Sequence, residues 1–392
     1  MKVLQFASYP VSSPCHGGQL RVAALNDELR KAGIDARVVS CFDVGLYSDC
    51  GKYDFPVPSS SFSIRSDRRP WDVYLSETVL DTPETMSRFE RMMLESAADV
   101  YVFEQPWLWL VVRSVVAKHP ELKRPIVYSS QNVEFRLLQD MKEPQGMVNM
   151  AYELEKELVE AADLVIACTD DDLNFYRGVF SVKRGIRFSN GISPHGPLDD
   201  ALVRRYSVRY RGLVLAGFVG SAHPPNVDGF FRMLGTNLGY LSPNQKIVLV
   251  GGVAESVRWQ SRGSLYEALN DSRCDYLGKV PQPVLEAVLS LCKVMVLPII
   301  VGGGSNLKTA EALTSGKAIL ATSNAFRGYS DFLSFPNVHI EDDPRRMREK
   351  LVRLLSAPDV VLDDNQRKLV EQVYWSNILA GYPDLIKGLA TR

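Results

Sequence analysis

Residues 294–317 read VMVLPIIVGGGSNLKTAEALTSGK, and the succession of residue types in this stretch sets the fold class. It opens on an apolar run without polar alternation, the pattern of a strand covered on both faces. The run ends at Pro298, and Gly302, Gly303 and Gly304 then let the backbone approach a ligand closely. Ser305 is a good N-cap for a helix expected to reach about Ser315 and stop at Gly316. A strand, a glycine-rich loop and a helix in that order make a βα unit, and a helix N-terminus at the carboxyl end of a parallel strand is a ready anion site. Lys308 falls in the first turn of that helix, where a cation opposes the helix dipole by about 0.3–1 kcal/mol unless an anion accompanies it. Lys308 and Glu311, three residues apart, share a helical face. One reading has the loop and Lys308 holding a phosphate or diphosphate while Glu311 accepts hydrogen bonds from sugar hydroxyls. The other is a surface salt bridge beside a flexible loop.

The same alternation extends in both directions. Toward the N-terminus, VLQFA, ARVVSCF, DVYVFEQ, PIVYSS and DLVIACT read as strands separated by helical stretches, among them a helix from Gly18 to Lys31 closed by Gly33. Residues 191–211 (GISPHGPLDDALVRRYSVRYR) carry Gly, Pro and mixed charge with little apolar periodicity, which suits a linker. The alternation then restarts with LVLAGFVGS, KIVLVGG, CDYLGKV, VMVLP, AILATS and NVHI. Asp343-Pro344 before RRMREKLVRLL supplies a helix N-cap followed by proline at the first helical position. Two runs of βα units predict an α/β protein of two Rossmann-like doubly wound domains facing each other across a cleft. The expected division is 1–190, a linker 191–211, a second domain 212–370 and a helical tail 371–392. Gly381 and Pro383 should break that tail, and Trp375 and Tyr382 should pack it.

Composition agrees with this. The chain has 392 residues, 46% hydrophobic and 23% charged, enough apolar material for packed cores and too much for a disordered chain. Forty-five basic residues against forty-six acidic ones give a formal charge of −1, which offers no electrostatic reason to expect nucleic acid as a partner. No apolar run approaches the roughly 18–20 residues of a membrane span. MKVLQFASYP reads as a first strand rather than a signal peptide. The six cysteines contain no CxxC pair, so neither a zinc site nor a disulfide scaffold is expected. These features predict a cytoplasmic protein with reduced thiols.

Further candidate sites lie at strand ends. After VLQFA, Gly17-Gly18 open a helix, but the dinucleotide fingerprint G-x-G-x-x-G is missing, which disfavours a hydride-transfer enzyme even though Asp43 follows the next strand. His16 is either a substrate contact or a solvated loop histidine. In FVGSAHPPNVDGF (218–230), Gly220 and Ser221 allow a ligand near the backbone, with a helix expected from Pro225 or Asn226. In Ser129–Glu134, SSQNVE, the polar Gln131 and Asn132 crowd the end of a presumed central strand, with helix capping by Asn132 as the alternative. PWLWLVVRSVVAKHPELKRP (106–125) reads as an interfacial helix or, more simply, a buried one.

Taken in order, the HGG turn, SQNVE, DLVIACT, SNGI (189–192), FVGSAHPPN, LGKV, GGGSNLKTAEAL and AILAT resemble the retaining nucleotide-sugar glycosyltransferases of family four, which have the GT-B fold. The resemblance implies an N-terminal acceptor domain, a C-terminal donor domain and a final helical segment that returns to the first. It implies that Lys308 and the loop Gly302–Ser305, with Gly303 and Gly304, hold the donor diphosphate beside Asn306, making Lys308, Glu311 and Asn306 the residues of the chemical step. Glu311 would bind the ribose hydroxyls, and the backbone at Lys279-Val280 would meet the nucleobase. Gly220 and Ser221 join this donor set, and Gly17 and Gly18 would lie under the diphosphate or the transferred sugar. His16, Gln131 and Asn132 fall on the acceptor or sugar side. Neither a cofactor nor a metal is implied, since no Asp-rich motif is required.

The chain departs from the family pattern at four places. Gly303 stands where many members have the first of two glutamates, and Asn306 where a basic residue is usual in the GGG variant. Gln131 replaces a frequent histidine, and Ala222-His223 stand where an arginine often follows FVG. Two competing functions remain open on sequence: a sugar-nucleotide epimerase, for which only His16 and His223 are candidates at the sugar, and a catalytically weak scaffold subunit that pairs with an active transferase. Residues 44–70 are expected to form an acceptor loop. Its Arg65, Arg68 and Arg69 are candidates to meet an anionic acceptor or a membrane surface, which extends the expected location to the inner face of a membrane.

Overall fold

A computed structural model describes residues 1–47, 51–66 and 70–391; Cys50, Arg68 and Arg69 lie outside the described residues. The chain divides into two compact units, Met1–Asn190 together with Trp375–Arg392, and Gly191–Tyr374.

The first unit is built on seven parallel strands: β1 (Lys2–Ala7), β2 (Asp35–Asp43), β3 (Asp54–Val57), β4 (Val100–Phe103), β5 (Ile126–Ser129), β6 (Leu164–Ala167) and β7 (Gly185–Arg187). Their order across the sheet is β3-β2-β1-β4-β5-β6-β7. The second unit has six parallel strands: β8 (Val214–Val219), β9 (Gln245–Val250), β10 (Cys274–Gly278), β11 (Val294–Leu297), β12 (Ala318–Ala321) and β13 (Val338–Ile340), in the order β10-β9-β8-β11-β12-β13. Each is a Rossmann-like doubly wound sheet whose winding reverses beside its first strand, between β1 and β4 in one unit and between β8 and β11 in the other.

The continuous apolar runs account for the buried strands. VYVF, LVIA, VMVL and AILA are buried at every position because helices cover both faces of each sheet. Trp107 and Trp109 sit in the core of the first unit, and the helix Trp109–Lys118 buries Val111, Val112 and Val115 against that core, so this is not an interfacial helix. The C-terminal helix Tyr382–Ala390 packs against Gly17–Lys31, burying Tyr382, Ile386 and Leu389, and the Tyr382 ring meets Phe188 edge-on at 6.0 Å. Gly381 is its N-cap.

Several expectations are corrected. Residues 191–211 are not a bare linker: Asp199 caps a helix, Asp200–Arg209, whose Arg209 bonds Asp275 of β10 at 2.9 and 3.0 Å. That helix buries no residue, so it carried no apolar period to read. Residues 44–70 are not only a loop, since they contain β3 and the short helix Ser59–Ser63. The second unit runs on to Tyr374, beyond the expected limit of 370. The helix after the glycine loop is Leu307–Thr314, capped by Asn306 rather than Ser305.

Candidate functional site

In the second unit the loops after β8 and β11 leave neighbouring strands at the point where the winding reverses. After β11, Gly302 (φ +145°) and Gly304 (φ +61°) adopt backbone conformations that L side chains rarely enter. The guanidinium of Arg327 donates to the carbonyl of Gly302, fixing the loop. Asn306 then caps the helix, its side-chain oxygen accepting the Lys308 N–H at 3.2 Å. That cap position points Lys308 across the switch point toward the loop after β8, where its ammonium donates to Asn226 Oδ1 at 2.6 Å. Asn226 is itself held, its Nδ2 donating to the Ser221 carbonyl at 3.0 Å and to Ser221 Oγ at 3.2 Å.

The electrostatics of this cluster exclude the surface salt-bridge reading. Lys308 and Glu311 are partly buried, and no ion pair joins them among the described residues. Burial pushes the Lys308 amine down to about 8, with the Glu311 charge opposing. Burial also raises the Glu311 carboxyl, opposed by the charges of His195 and Lys308. His223, at the N-cap of the helix Pro224–Gly229, is pulled down by burial and by Lys308. A desolvated cation, a helix N-terminus and a glycine loop without side chains converge here, and together they can stabilise an anion. Gly220 lies under the same loop, where a Cβ on Gly251 would come within 2.3 Å of the Gly220 carbonyl. Lys279 and Val280 follow β10 at the sheet edge, and no hydrogen bond ties them to Lys308 among the described residues.

In the first unit the loops after β1 and β4 meet at its own switch point. Ser8 N donates to Gln105 Oε1 at 3.1 Å, Gln105 Nε2 donates to Tyr9 Oη at 2.6 Å, and Tyr9 Oη donates to Gln131 Oε1 at 2.8 Å. Gly18 lies under this chain: a Cβ there would fall 2.4 Å from Tyr9 Oη and 2.7 Å from Gln131 Oε1. His16 is the N-cap of Gly17–Lys31, accepting from Gln19 N at 3.4 Å, and its Nε2 lies 3.2 Å from Tyr47 Oη. Asn132 does not cap the following helix, whose N-cap is Val133. Its carbonyl instead accepts from Ser130 Oγ at 2.7 Å and Tyr176 Oη at 3.0 Å.

Three buried carboxyls beneath this surface escaped the sequence reading. Glu155 collects Tyr128 Oη (2.7 Å), Tyr176 Oη (2.6 Å) and the backbone N–H of Glu134 (3.1 Å) and Phe135 (3.3 Å). It thereby fixes the loop that carries Gln131 and Asn132. Glu134 accepts from Asn132 Nδ2 at 3.3 Å, and burial with the Glu155 charge pushes it up to about 8. Glu104, wholly buried beside Gln5 at 2.7 Å, is pushed up to about 7 by burial, against the charge of Arg21. Glu104 directly follows β4, a signal a polar residue at a strand's carboxyl end does carry, whereas Glu134 opens the helix Glu134–Asp140 beyond the loop after β5. Glu155 lies mid-helix, Arg327 and His195 far along the chain, and nothing local marks them.

Two Rossmann-like sheets, each with its polar groups gathered at the switch point, define the class as GT-B-like. Residues 214–357 match the family described as Glycosyl transferases group 1. No curated protein matches the sequence. Among solved structures, sucrose-phosphate synthase from Thermosynechococcus elongatus aligns with a TM-score of 0.73 at 15% identity, covering 100% of this chain and 99% of that one. Anabaena HepE, solved with UDP and glucose, aligns at 0.69 and 14% identity over 99% and 100% of the two chains. A trehalose-phosphate synthase from Burkholderia xenovorans, solved with glucose-6-phosphate, gives 0.66 and 14% over 99% and 100%. The fold is thus that of the GT-B glycosyltransferases, in line with the family-four resemblance read from the sequence. No helix among the described residues is long and apolar enough to cross a membrane, and no group of three or more His, Cys, Asp or Glu residues among them is placed to hold a metal.

Proposed function

We propose that this protein transfers a sugar from a nucleotide diphosphate sugar to a hydroxyl acceptor with retention of anomeric configuration, in the synthesis of a glycan or glycoconjugate. The observation that carries the reading is Lys308: a desolvated ammonium in the first turn of a helix, beside glycines at positive φ, on a segment that matches a glycosyltransferase family. A cation in that place is unfavourable by itself and becomes favourable when an anion binds.

In this reading Lys308, the Gly302–Ser305 loop and the helix N-terminus hold the donor diphosphate, and Glu311 accepts hydrogen bonds from the ribose. Breaking the bond between the sugar's anomeric carbon and the diphosphate leaves the electron pair on the phosphate oxygen, where Lys308 and the backbone N–H groups stabilise it. The acceptor hydroxyl bonds to the anomeric carbon on the same face and gives its proton to the departing phosphate. No side-chain base is needed, which accommodates Gln131. The first unit's Tyr9–Gln131 surface over Gly18, with His16 and Asn132, is the acceptor side. No metal takes part in these steps.

HepE was solved with UDP and glucose, which makes UDP-sugars the first donors to try. The test is a thermal-shift screen against UDP-, GDP-, ADP- and dTDP-sugars, followed by nucleotide release with each stabilising donor, for the wild type and Lys308→Ala. A donor that stabilises the wild type and is slowly hydrolysed, with turnover sharply lost in Lys308→Ala, supports the proposal. Near-normal turnover in that variant refutes the role of Lys308. Donor binding without any hydrolysis selects the scaffold-subunit reading instead.

A further inference from the structure

The loops after β8 and β11 leave adjacent strands, and one contact joins them at the candidate donor site: the Lys308 ammonium on Asn226 Oδ1 at 2.6 Å. Asn226 is buried, 6% exposed, near the start of the helix Pro224–Gly229. Its orientation is determined by its neighbours. Nδ2 faces two oxygens of Ser221, the carbonyl at 3.0 Å and Oγ at 3.2 Å, so Oδ1 must be the atom turned to Lys308. The flipped amide would set an NH2 group against an ammonium and leave both Ser221 oxygens without their donor.

The residue type matters as much as the direction. An amide oxygen accepts one of the three ammonium protons and leaves two for a ligand. It is neutral, so it aims the cation without cancelling its charge, which an aspartate in the same place would do. The other charged or titratable groups facing Lys308 are Glu311, one turn along its own helix, and His223 at the start of the facing helix; His195 acts on Glu311 from the preceding segment.

We infer that Asn226 is a positioning residue of the donor site: anchored on Ser221, it holds the Lys308 ammonium at the switch point with its charge left available for a diphosphate. The inference rests on the donor-site reading above and adds a residue that touches neither donor nor acceptor. It also gives Ser221 a second-hand role, as the anchor of Asn226.

The test uses the full chain in three forms: wild type, Asn226→Ala and the near-isosteric Asn226→Asp, each checked for folding by circular dichroism. The ligand-free readout is the titration of Lys308 by NMR of isotopically labelled lysine. Asn226→Asp should raise the Lys308 midpoint by at least about one pH unit through its new charge, and Asn226→Ala should lower it. The second readout is UDP binding by calorimetry at pH 7, which Asn226→Ala should weaken about tenfold, the value of one lost charge-assisted contact. Asn226→Asp should also bind more weakly, with its affinity holding to higher pH than that of the wild type. An unchanged midpoint in Asn226→Asp, or equal UDP affinity in wild type and a folded Asn226→Ala, overturns the inference. Should the alanine variant fail to fold, the aspartate titration decides alone. A wild type that binds no nucleotide diphosphate refutes the donor-site reading, and the titration still reports on the contact.

Discussion

Replacing Lys308 by methionine should make the protein more stable while removing donor binding. The Lys308 amine is depressed from 10.5 to about 8, chiefly by burial. At about 1.4 kcal/mol per pKa unit, that depression corresponds to about 3 kcal/mol of folding free energy withheld at neutral pH. The sign follows from proton counting. Between pH 8 and 10.5 the unfolded chain holds a proton on this lysine that the folded chain has given up, so stability rises with pH across that window and the penalty is complete below it. Methionine has a similar shape and no charge to desolvate. Loss of the bond to Asn226 returns about 1 kcal/mol, which leaves a net gain of about 2 kcal/mol. For a unit of this size, 1 kcal/mol moves Tm by about 2–4 °C, so the second unit should melt about 4–8 °C higher at pH 7. The assay is scanning calorimetry of wild type and Lys308→Met from pH 7 to 10.5. The difference in Tm should be greatest at pH 7 and shrink toward pH 10.5, where the folded wild type has already lost the lysine proton. A variant destabilised at pH 7, or a difference that does not vary with pH, would refute the reasoning.

The remaining predictions concern the first unit. Glu155→Leu strands three donors in a dry core, Tyr128 Oη and the backbone N–H groups of Glu134 and Phe135, and should cost about 3–5 kcal/mol in urea unfolding; a loss below about 1 kcal/mol would show that the network is not organised by this carboxylate. Glu104 has its folded pKa raised by burial to about 7, so its contribution to stability is complete below about pH 4.5 and is lost as pH rises through 7. Glu104→Gln should therefore flatten the fall in stability between pH 5 and 8, and identical pH profiles of the two proteins would contradict the assignment. Gly18→Ala sets a methyl against Tyr9 Oη and Gln131 Oε1, so sugar transfer should fall by about tenfold or more with the fold preserved, measured as nucleotide release with and without acceptor. Unchanged acceptor-dependent transfer would remove this surface from the acceptor side.

The sequence by itself determined the fold class and singled out the glycine loop and Lys308 that are proposed as the donor site. Runs such as VMVL and AILA without polar alternation fit strands covered on both sides, and strand, glycine loop and helix in succession fit a wound parallel sheet. Lys308 was legible because a lysine in a helix's first turn works against the local dipole and asks for an anion. What remained hidden depended on partners distant in the chain. The helix Asp200–Arg209 buries nothing and so left no period to detect. Ser305 and Asn306 are both good caps, and it is Asn306 whose side chain accepts the Lys308 N–H in the folded protein. Asn226 and Lys308 lie 82 residues apart, and Tyr9 and Gln131 lie 122 apart. The burial of Glu104, Glu134 and Glu155 exists only once sheet and helices close around them. Sequence pattern reports periodicity and local backbone preference, which act within a few residues; desolvation and side-chain pairing are properties of the packed interior, and only the tertiary structure decides them.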